Sequence, residues 1–301
     1  MKLGLVIMLA ELRDLQRAHS YREIREWALQ AEQAGFDSIW LYDHLLYRME
    51  EPGTIGIWEC WTVLSALAEA TRRVELGTLV LCNSFRNPAI LAKMAITLDE
   101  VSGGRFNFGV GAGWNKPEYE AFGIPYDHRV DRFAEALQII HPLLKTGRVD
   151  FSGKYYQARD CEIRPRGPRP QGPPLLIGSS GPRMLRLTAR YADLWNTGYL
   201  GGPHTLEKPL AELRLACEEV GREPQTLEVT GLVALVYPDL GEPPKMTEAS
   251  LSGTPQEIAE ALRGFERLGV AHLMFHLVPY WEEAFQRLVE AVEIYRGEQN
   301  R

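Results

Sequence analysis

Asp43 and His44 are the best candidates for acid–base chemistry in this 301-residue chain. They follow an apolar run that ends at Leu41, so a strand would present them at its carboxyl end. A histidine changes protonation near neutral pH and can exchange a proton with a substrate oxygen or a ring carbonyl. His44 is therefore our predicted catalytic residue. The competing interpretation is a histidine that is only hydrogen-bonded in a loop.

A second candidate is the segment Ser179-Ser180-Gly181-Pro182-Arg183, which lies between an apolar run and a helical pattern. Hydroxyl groups and the unpaired amides of a helix start favour an anion at such a turn, and Arg183 adds a positive charge. The segment therefore predicts a phosphate site. An ordinary capped helix start is the competing interpretation.

The glycine-rich run Gly109-Val-Gly-Ala-Gly113 departs from the dinucleotide-binding fingerprint, because no helical pattern opens directly after it. Two interpretations of the run stay open. Glycines let a backbone approach a planar ring without a side-chain clash, and they also allow close packing of the chain on itself.

Carboxylates, a thiol and two tryptophans give weaker signals. Asp43 and Glu118 can act as a hydrolase pair only at a defined separation, which the sequence does not provide. Cys82 is a candidate nucleophile, but it has no neighbouring histidine, and a half-buried cysteine usually acts as a small apolar residue. Trp114 and Trp195, together with Glu118, are predicted to line a substrate pocket.

The elements that must position these residues alternate along the chain. Strands are predicted at 3–9, 38–43, 74–81, 106–112, 174–179, 193–198, 227–236 and 271–277. Helices are predicted at 21–34, 57–70, 88–102, 131–146, 183–192, 204–220, 255–268 and 282–296. Eight β-then-α units in a chain of about 300 residues predict an α/β fold, a (β/α)8 TIM barrel, because this layout closes on itself at this length.

The barrel prediction brings the candidate residues together. Asp43 is the last residue of a predicted strand, and Asn83, Gly113 and Ser180 each come shortly after one. In a parallel barrel the carboxyl ends of the strands meet at one end, where ligands bind. We therefore expect these four residues around one site.

Two stretches interrupt the alternation. Residues 114–130 form a long link after the fourth strand and are a candidate lid. Residues 153–163 look like a small hairpin before the fifth strand, and the proline-rich stretch 164–174 looks like a stiff connector. We predict a single domain over residues 1–301, because barrels of this type run to this length as one domain.

Composition narrows the range of partners. A net charge of −7 and a pI near 5.6 disfavour nucleic acid and anionic membranes, so a small-molecule substrate is expected. The four cysteines lie far apart, which predicts neither a metal site nor a disulfide framework. The chain opens on a strand-like run without a charged leader, and no apolar run is long enough to span a membrane, so we expect a cytoplasmic protein.

Seven blocks spread over nearly the whole chain match one known pattern. They are Leu76-Gly-Thr-Leu-Val-Leu81, Arg86-Asn-Pro-Ala-Ile-Leu-Ala-Lys93, Leu98-Asp-Glu-Val-Ser-Gly-Gly-Arg105, Gly109-Val-Gly-Ala-Gly-Trp-Asn115, Ala121-Phe-Gly123, Ala192-Asp-Leu-Trp-Asn196 and Gly253-Thr-Pro255. Together they resemble the bacterial luciferase-like monooxygenase superfamily. The resemblance is greatest to its branch of coenzyme F420-dependent oxidoreductases, whose cofactor is a deazaflavin.

The resemblance implies a luciferase-like (β/α)8 barrel, often a homodimer, with the cofactor ring at the carboxyl ends of the strands. It also implies a non-prolyl cis peptide bond at Leu79–Val80, behind the ring. The residues implied to bind the cofactor are Asp43, Leu79, Val80, Cys82, Asn83, Ala112, Gly113, Ser179, Ser180, Gly181, Arg183 and Met184.

One residue departs from the family pattern. The sugar-phosphate dehydrogenases of this branch have a glutamate directly after the glycine turn, whereas this chain has Trp114. Their proton donor therefore has no counterpart here, and a sugar-phosphate substrate is disfavoured. This leaves His44 as the predicted proton-handling group beside the ring.

Three classes of function stay open from the sequence. The first is an F420-dependent oxidoreductase that transfers a hydride between the deazaflavin and a small organic substrate. The second is an FMN-dependent monooxygenase of the same fold, in which reduced flavin activates oxygen. The third is a flavin- or deazaflavin-binding protein without turnover, or a barrel hydrolase that uses Asp43 and Glu118.

Overall fold

A computed structural model describes residues 1–12, 15–49, 53–241 and 249–299. Its strands are β1 (Lys2–Val6), β2 (Ser38–Leu41), β3 (Leu46–Arg48), β4 (Thr54–Gly56), β5 (Glu75–Thr78), β6 (Leu81–Cys82), β7 (Phe106–Gly111), β8 (Arg148–Ser152), β9 (Gln157–Glu162), β10 (Leu175–Gly178), β11 (Leu194–Leu200), β12 (Glu228–Val236) and β13 (Val270–Val278).

The helices are α1 (Tyr21–Gln33), α2 (Cys60–Ala70), α3 (Pro88–Val101), α4 (Lys116–Ala121), α5 (Arg129–Lys145), α6 (Pro182–Tyr191), α7 (Glu207–Val220), α8 (Pro255–Arg267) and α9 (Glu282–Gln299). Within the described ranges, no helix is long and apolar enough to cross a membrane.

Local sequence signals explain where several helices begin and end. The side chain of Asn87 accepts hydrogen bonds from the amides of Ala89 and Ile90 at the start of α3, and Gly103, just past its end, has a φ of 65°. Helix α8 begins with a capping box, in which Thr254 and Glu257 each bond the other's backbone amide. Both helix starts follow the pattern expected from the sequence.

The main sheet has the strand order β10-β11-β12-β13-β1-β2-β5-β7-β6, and β10 also pairs with β7. Strands β5 and β6 occupy consecutive stretches of one barrel position, since both pair in parallel with β7. The sheet is therefore a closed eight-stranded parallel barrel, and the predicted (β/α)8 fold is confirmed. Each of the eight predicted strands overlaps an observed strand.

The described residues form two compact units. The middle unit comprises Ile7–Glu32 and Ile39–Gly178, and the terminal unit comprises Met1–Val6, Gln33–Ser38 and Ser179–Arg301. The prediction of a single domain over 1–301 stays a prediction.

The middle unit contains the β5, β6, β7 and β10 pairings. All six residues of β7 are buried, as a central parallel strand with both faces covered requires. Between β5 and β6 the Leu79–Val80 peptide bond is cis, as the family resemblance implied.

In the terminal unit, β11, β12, β13 and β1 pair in parallel. Helices α6 and α8 each lay one apolar stripe inward, and the buried residues of α8 include Ile258, Leu262 and Phe265. This periodicity is what the sequence predicted for the seventh helix.

The structure corrects one sequence prediction about the connections and adds two elements that were not predicted. The small hairpin begins earlier than predicted, because its first strand is β8, which pairs antiparallel with β9. The 114–130 link holds the short helix α4. A second hairpin, β3–β4, follows the second barrel strand and was not predicted.

Candidate active site

His44, three residues beyond the end of β2, is bound by a buried carboxylate of the middle unit. Its Nδ1 lies 3.0 Å from Oε1 and 3.2 Å from Oε2 of Glu118, which is in the first turn of α4. Oε2 of Glu118 also accepts the amide of Leu45 at 2.9 Å. The Glu118 side chain is only 2% exposed, so it acts on any ligand through His44 rather than by lining open space.

Aromatic rings surround the same histidine. The centre of the Tyr47 ring lies 4.7 Å from the centre of the His44 ring. The centre of the Trp114 ring lies 5.4 Å from that of His44, and the two rings meet edge to face. Trp114 is 57% exposed, so it presents an apolar face to solvent next to the imidazole. Such a ring beside a proton-handling group is suited to contact an organic substrate.

Asp43 is fixed by an arginine that the sequence analysis did not assign to the site. Arg86 donates from Nη1 to Oδ2 at 2.6 Å and from Nη2 to Oδ1 at 3.1 Å, a two-point contact. The amide of Cys82 donates to the same Oδ2 at 2.9 Å. The Asp43 side chain is fully buried and holds the Cys82 backbone in place, and its predicted contact with the cofactor stays a prediction.

Arg86 extends this network to the start of a helix. Its Nη2 donates to Oε1 of Glu59 at 2.5 Å, and Glu59 accepts the amides of Trp61 and Thr62 at the beginning of α2. Burial opposes the charge on Arg86, but the contacts with Asp43 and Glu59 outweigh it and raise the arginine pKa. The Arg86 guanidinium therefore stays charged at any physiological pH.

Cys82 is not poised as a nucleophile. Its sulfur lies 2.9 Å from the hydroxyl of Tyr119, which in turn donates to the carbonyl of Ala112 at 2.9 Å. Burial raises the pKa of the Cys82 thiol to about 12. A thiol that stays protonated at neutral pH does not attack a substrate, so Cys82 contributes packing and a hydrogen bond.

The glycine turn is required by the protein's own packing. Gly113 has a φ of 76°, and a β-carbon there would lie 2.0 Å from the Tyr119 hydroxyl and 2.6 Å from the Cys82 sulfur. A β-carbon on Gly109 would lie 1.8 Å from the carbonyl oxygen of Thr78. Close packing, one of the two interpretations of this run, therefore accounts for both glycines.

Asn83 offers an unsatisfied acceptor. The residue is completely buried, its Nδ2 donates to the hydroxyl of Tyr156 at 3.5 Å, and its Oδ1 has no hydrogen-bond partner in the described part of the chain. A buried carbonyl without a donor is costly unless a ligand or water supplies one. Leu79 and Val80, just before it in sequence, are half-buried.

In the terminal unit, the predicted phosphate turn lies between β10 and α6. Helix α6 begins at Pro182 after Gly181, whose φ is 79°, and no side chain caps its first amides. Ser180 and Arg183 are exposed, and Met184 is half-buried. An ordinary side-chain cap is therefore ruled out at this turn, and its helix-start amides fit an anion.

The residues around this turn fix its backbone. Trp195 is 1% exposed, and its Nε1 donates to the carbonyl of Ser179 at 3.1 Å. The Ser179 hydroxyl lies 2.8 Å from the Thr188 hydroxyl, and the Ser179 amide donates to the Asn196 carbonyl. Trp195 thus holds the backbone of the turn at Ser179 through this hydrogen bond. Its place in a substrate pocket stays a prediction.

A cavity of about 740 Å³ opens at the amino ends of β1 and β13 in the terminal unit. Lys2, Asp37, Glu266 and Arg296 contribute to its wall. Asp37 and Arg296 already pair with each other at 2.8 Å, and ligands of parallel barrels bind at the carboxyl ends of strands. We therefore do not assign the active site to this cavity.

No cluster of three or more potential metal ligands occurs among the described residues, and the four cysteines are free. The absence of a metal stays a prediction.

The sequence profile of the luciferase-like monooxygenase family matches residues 1–242. The chain belongs to the luciferase-like monooxygenase family. Within the family, an F420-dependent glucose-6-phosphate dehydrogenase from Beutenbergia cavernae is 32% identical, and the match covers 89% of this chain and 93% of that protein.

Another relative is the pyrimidine monooxygenase RutA of Yersinia enterocolitica, 34% identical over 178 residues, or 55% of this chain and 46% of the relative. The chain thus spans about half the length of several relatives that it matches. Among solved structures, an F420-dependent secondary alcohol dehydrogenase with an F420-acetone adduct matches 98% of both chains with a TM-score of 0.81 at 21% identity. These named relatives are oxidoreductases, and the solved structure supports the luciferase-like barrel fold.

His44, Asn83 and the 179–184 turn stay predicted site residues, whereas the sequence analysis neither assigned Arg86 to the site nor paired Glu118 with His44. Arg86 stands in one of the family blocks, directly before the Asn-Pro helix start. That position, five residues after the end of the predicted strand 74–81, was the available signal.

Proposed function

We propose that this protein is an F420-dependent oxidoreductase that transfers a hydride between the deazaflavin and a small organic substrate. The observation that carries the proposal is the hydrogen bonding of the two ring nitrogens of His44. Its Nδ1 is held by Glu118, whereas its Nε2 makes no hydrogen bond within the described residues. Among the side chains considered for chemistry, Asp43 and Cys82 are committed to internal contacts, which leaves His44 to move a proton.

The deazaflavin, when bound, accepts or donates the hydride. The protein then has to bind the ring, orient the substrate and move one proton. We assign the proton to Nε2 of His44 and substrate contact to the exposed Trp114 ring. The Tyr47 ring, whose centre lies 4.7 Å from that of the imidazole, is a second aromatic contact at His44.

The residues of the middle unit fit a flavin-like ring. The unpaired Oδ1 of Asn83 is an acceptor for a ring N–H, and Leu79 and Val80 are half-buried apolar contacts. Ala112 and Gly113 contribute backbone at the glycine turn. We propose these residues, with Cys82, for the ring, and Ser179, Ser180, Gly181, Arg183 and Met184 for a phosphate, since α6 has no side-chain cap.

The substrate is proposed to differ from that of the Beutenbergia relative. A sugar phosphate is recognised by charged and hydrogen-bonding side chains, whereas the group that flanks His44 here is aromatic. Trp114 and Tyr47 are suited to a substrate with apolar surface. We therefore propose a small, largely apolar alcohol, ketone or related compound.

A second candidate is an FMN-dependent monooxygenase. The match to pyrimidine monooxygenase RutA, 34% identical over 178 residues, favours it. The Asn83 acceptor serves either cofactor, because both rings carry an N–H group, so the cofactor has to be measured.

The test is a titration of the purified protein with coenzyme F420 and, separately, with FMN. We expect saturable binding of F420 at micromolar concentration, and bleaching of its absorbance when a panel of small alcohols is added. Tight FMN binding with no F420 binding would overturn the cofactor assignment in favour of the monooxygenase. Binding of F420 without turnover of any substrate would favour a carrier protein.

We further propose a homodimer, from the family resemblance, and a cytoplasmic location. The location is supported by the four free cysteines, since oxidising compartments favour disulfides. Analytical ultracentrifugation and cell fractionation test these two statements.

A further inference from the structure

We propose that Glu118 is a positioning residue that fixes the tautomer of His44, keeping the proton on Nδ1 and a lone pair on Nε2. The inference rests on the proposed function for its catalytic meaning. The tautomer itself is a property of the folded chain, and it can be measured without cofactor or substrate.

The two hydrogen bonds of Glu118 define the tautomer. A carboxylate has no proton to donate, so the nitrogen 3.0 Å from Oε1 must be the donor, which places a proton on Nδ1 of His44. A neutral imidazole carries one proton, so Nε2 is then an acceptor. Since Glu118 is 2% exposed and the His44 side chain 13% exposed, water competes little for these bonds.

The Leu45 amide makes this arrangement sensitive to a single-atom change. It donates to Oε2 of Glu118 at 2.9 Å, so the atom at that position must be an acceptor. In Glu118→Gln, the amide oxygen is needed at the Oε2 position, where the Leu45 amide donates, and the NH2 group then takes the Oε1 position, which is the nearer of the two to Nδ1 at 3.0 Å against 3.2 Å. An NH2 donor requires an unprotonated Nδ1, so the substitution is expected to move the His44 proton to Nε2.

The consequence for the reaction is a change of role at Nε2. When a substrate such as an alcohol is oxidised, its carbon loses a hydride, for which the bound deazaflavin would be the acceptor, and its oxygen loses a proton, which Nε2 of the native tautomer accepts. The resulting imidazolium is stabilised by the Glu118 carboxylate. In Glu118→Gln, Nε2 already carries a proton, and no carboxylate balances a second one.

The first measurement is 15N NMR of histidine-labelled protein without cofactor, at a pH where the His44 ring is neutral. The variant His44→Asn identifies the His44 signals. We expect an Nδ1–H tautomer in the native protein and an Nε2–H tautomer in Glu118→Gln. The inference is overturned if the native ring carries its proton on Nε2, or if the tautomer is the same in both proteins.

A matched control separates the tautomer from a general effect of replacing a carboxylate. Oε1 of Glu32 also accepts backbone amides, from Arg72, Arg73 and Val74, and none of these three hydrogen bonds involves a histidine. Glu32→Gln keeps an oxygen for these amides. We expect the His44 signals in Glu32→Gln to match those of the native protein, and a shift as large as in Glu118→Gln would overturn the inference.

The second measurement is turnover with F420 and a substrate. We expect Glu118→Gln to lower kcat by about 10²–10⁴-fold with KM nearly unchanged, and to add no further loss in the His44→Ala background. Independent, additive losses would overturn the positioning role. If the native protein turns over no substrate, the proposed function fails, whereas the NMR result still decides the tautomer.

Discussion

The two units of the chain handle buried titratable groups in opposite ways. In the middle unit, buried carboxylates are paired with basic side chains: Asp43 with Arg86, Glu118 with His44 and Asp99 with Arg169. In the terminal unit, burial keeps histidines neutral: it lowers the pKa of His272 to about 3 and that of His276 to about 4. Pairing with a basic side chain allows a carboxylate to be buried in the middle unit, whereas the buried histidines of the terminal unit carry no charge.

The difference extends to the ligand-binding groups. Around His44 the middle unit satisfies most of its polar atoms internally, so the geometry of the acid–base pair exists before a ligand arrives. The 179–184 turn of the terminal unit has no side-chain cap on α6, so its amides depend on water or an anion. We infer that the middle unit supplies preorganised chemistry and that the turn supplies binding energy.

The largest expected effect is on chemistry in the middle unit. His44→Ala removes the only nitrogen we assign to proton transfer, so turnover should fall by about 10²–10⁴-fold, while the F420 dissociation constant stays nearly the same. Steady-state kinetics and a fluorescence titration of the cofactor measure the two quantities.

His204→Ala, at an exposed position of the terminal unit, is the control for the loss of a histidine and should retain native kinetics. A fully active His44→Ala enzyme would show that the preorganised pair does not serve catalysis.

The next largest effect is on stability, and it concerns the buried ion pair of Asp43 and Arg86. Arg86→Met keeps much of the side-chain volume but leaves Asp43 buried without its cation, which should lower the free energy of unfolding by about 3–5 kcal/mol. Urea unfolding followed by circular dichroism measures this. Arg148→Met, which breaks an exposed pair with Glu162, should cost less than about 1 kcal/mol. Equal costs for the two variants would contradict the contrast between paired burial and surface charge.

At the 179–184 turn we expect substitutions to weaken cofactor binding and to leave the free energy of unfolding nearly unchanged. Replacing Ser180 with Ala and Arg183 with Met together should weaken F420 binding by about 1–3 kcal/mol, the range for charge-assisted hydrogen bonds. Both residues are exposed, so the free energy of unfolding should change by no more than about 0.5 kcal/mol. An unchanged dissociation constant would place the phosphate elsewhere.

Much of the fold could be predicted because burial leaves a periodic trace in the sequence. The fully buried β7 and the amphipathic α8 gave unmistakable runs, and the Thr254 and Glu257 capping box marked a helix start to the residue. Helix α4 was missed because its six residues are too few for a 3.6-residue period to show. The hairpin strand β8 alternates only half-buried and exposed residues, which is a weak signal.

The site was predictable only up to chain position. The strand-end rule located His44 and Asn83, because it depends on local sequence. Contacts that join distant segments leave no such trace: Glu118 lies 74 residues from His44, and Arg86 lies 43 residues from Asp43. The sequence therefore did not predict the contact of Glu118 with His44, and the place of Glu118 in the substrate pocket stays a prediction.

The smallest expected effect tests the neutral histidines of the terminal unit. His272 is buried in β13, with Nε2 2.6 Å from the Ser38 hydroxyl, and burial together with the charge of Lys2 lowers its pKa from 6.5 to about 3. Between these values the unfolded chain binds a proton that the folded chain does not, so stability falls as the pH falls. One pH unit corresponds to about 1.4 kcal/mol for one such group, so we expect a loss of about 1 kcal/mol from His272 between pH 6.5 and 5.5. Urea unfolding at both pH values should show a smaller pH-dependent loss in His272→Gln than in the native protein. Identical losses in the two proteins would mean that His272 takes up its proton in the folded state as readily as in the unfolded chain, and the contrast between the units would then not extend to the histidines.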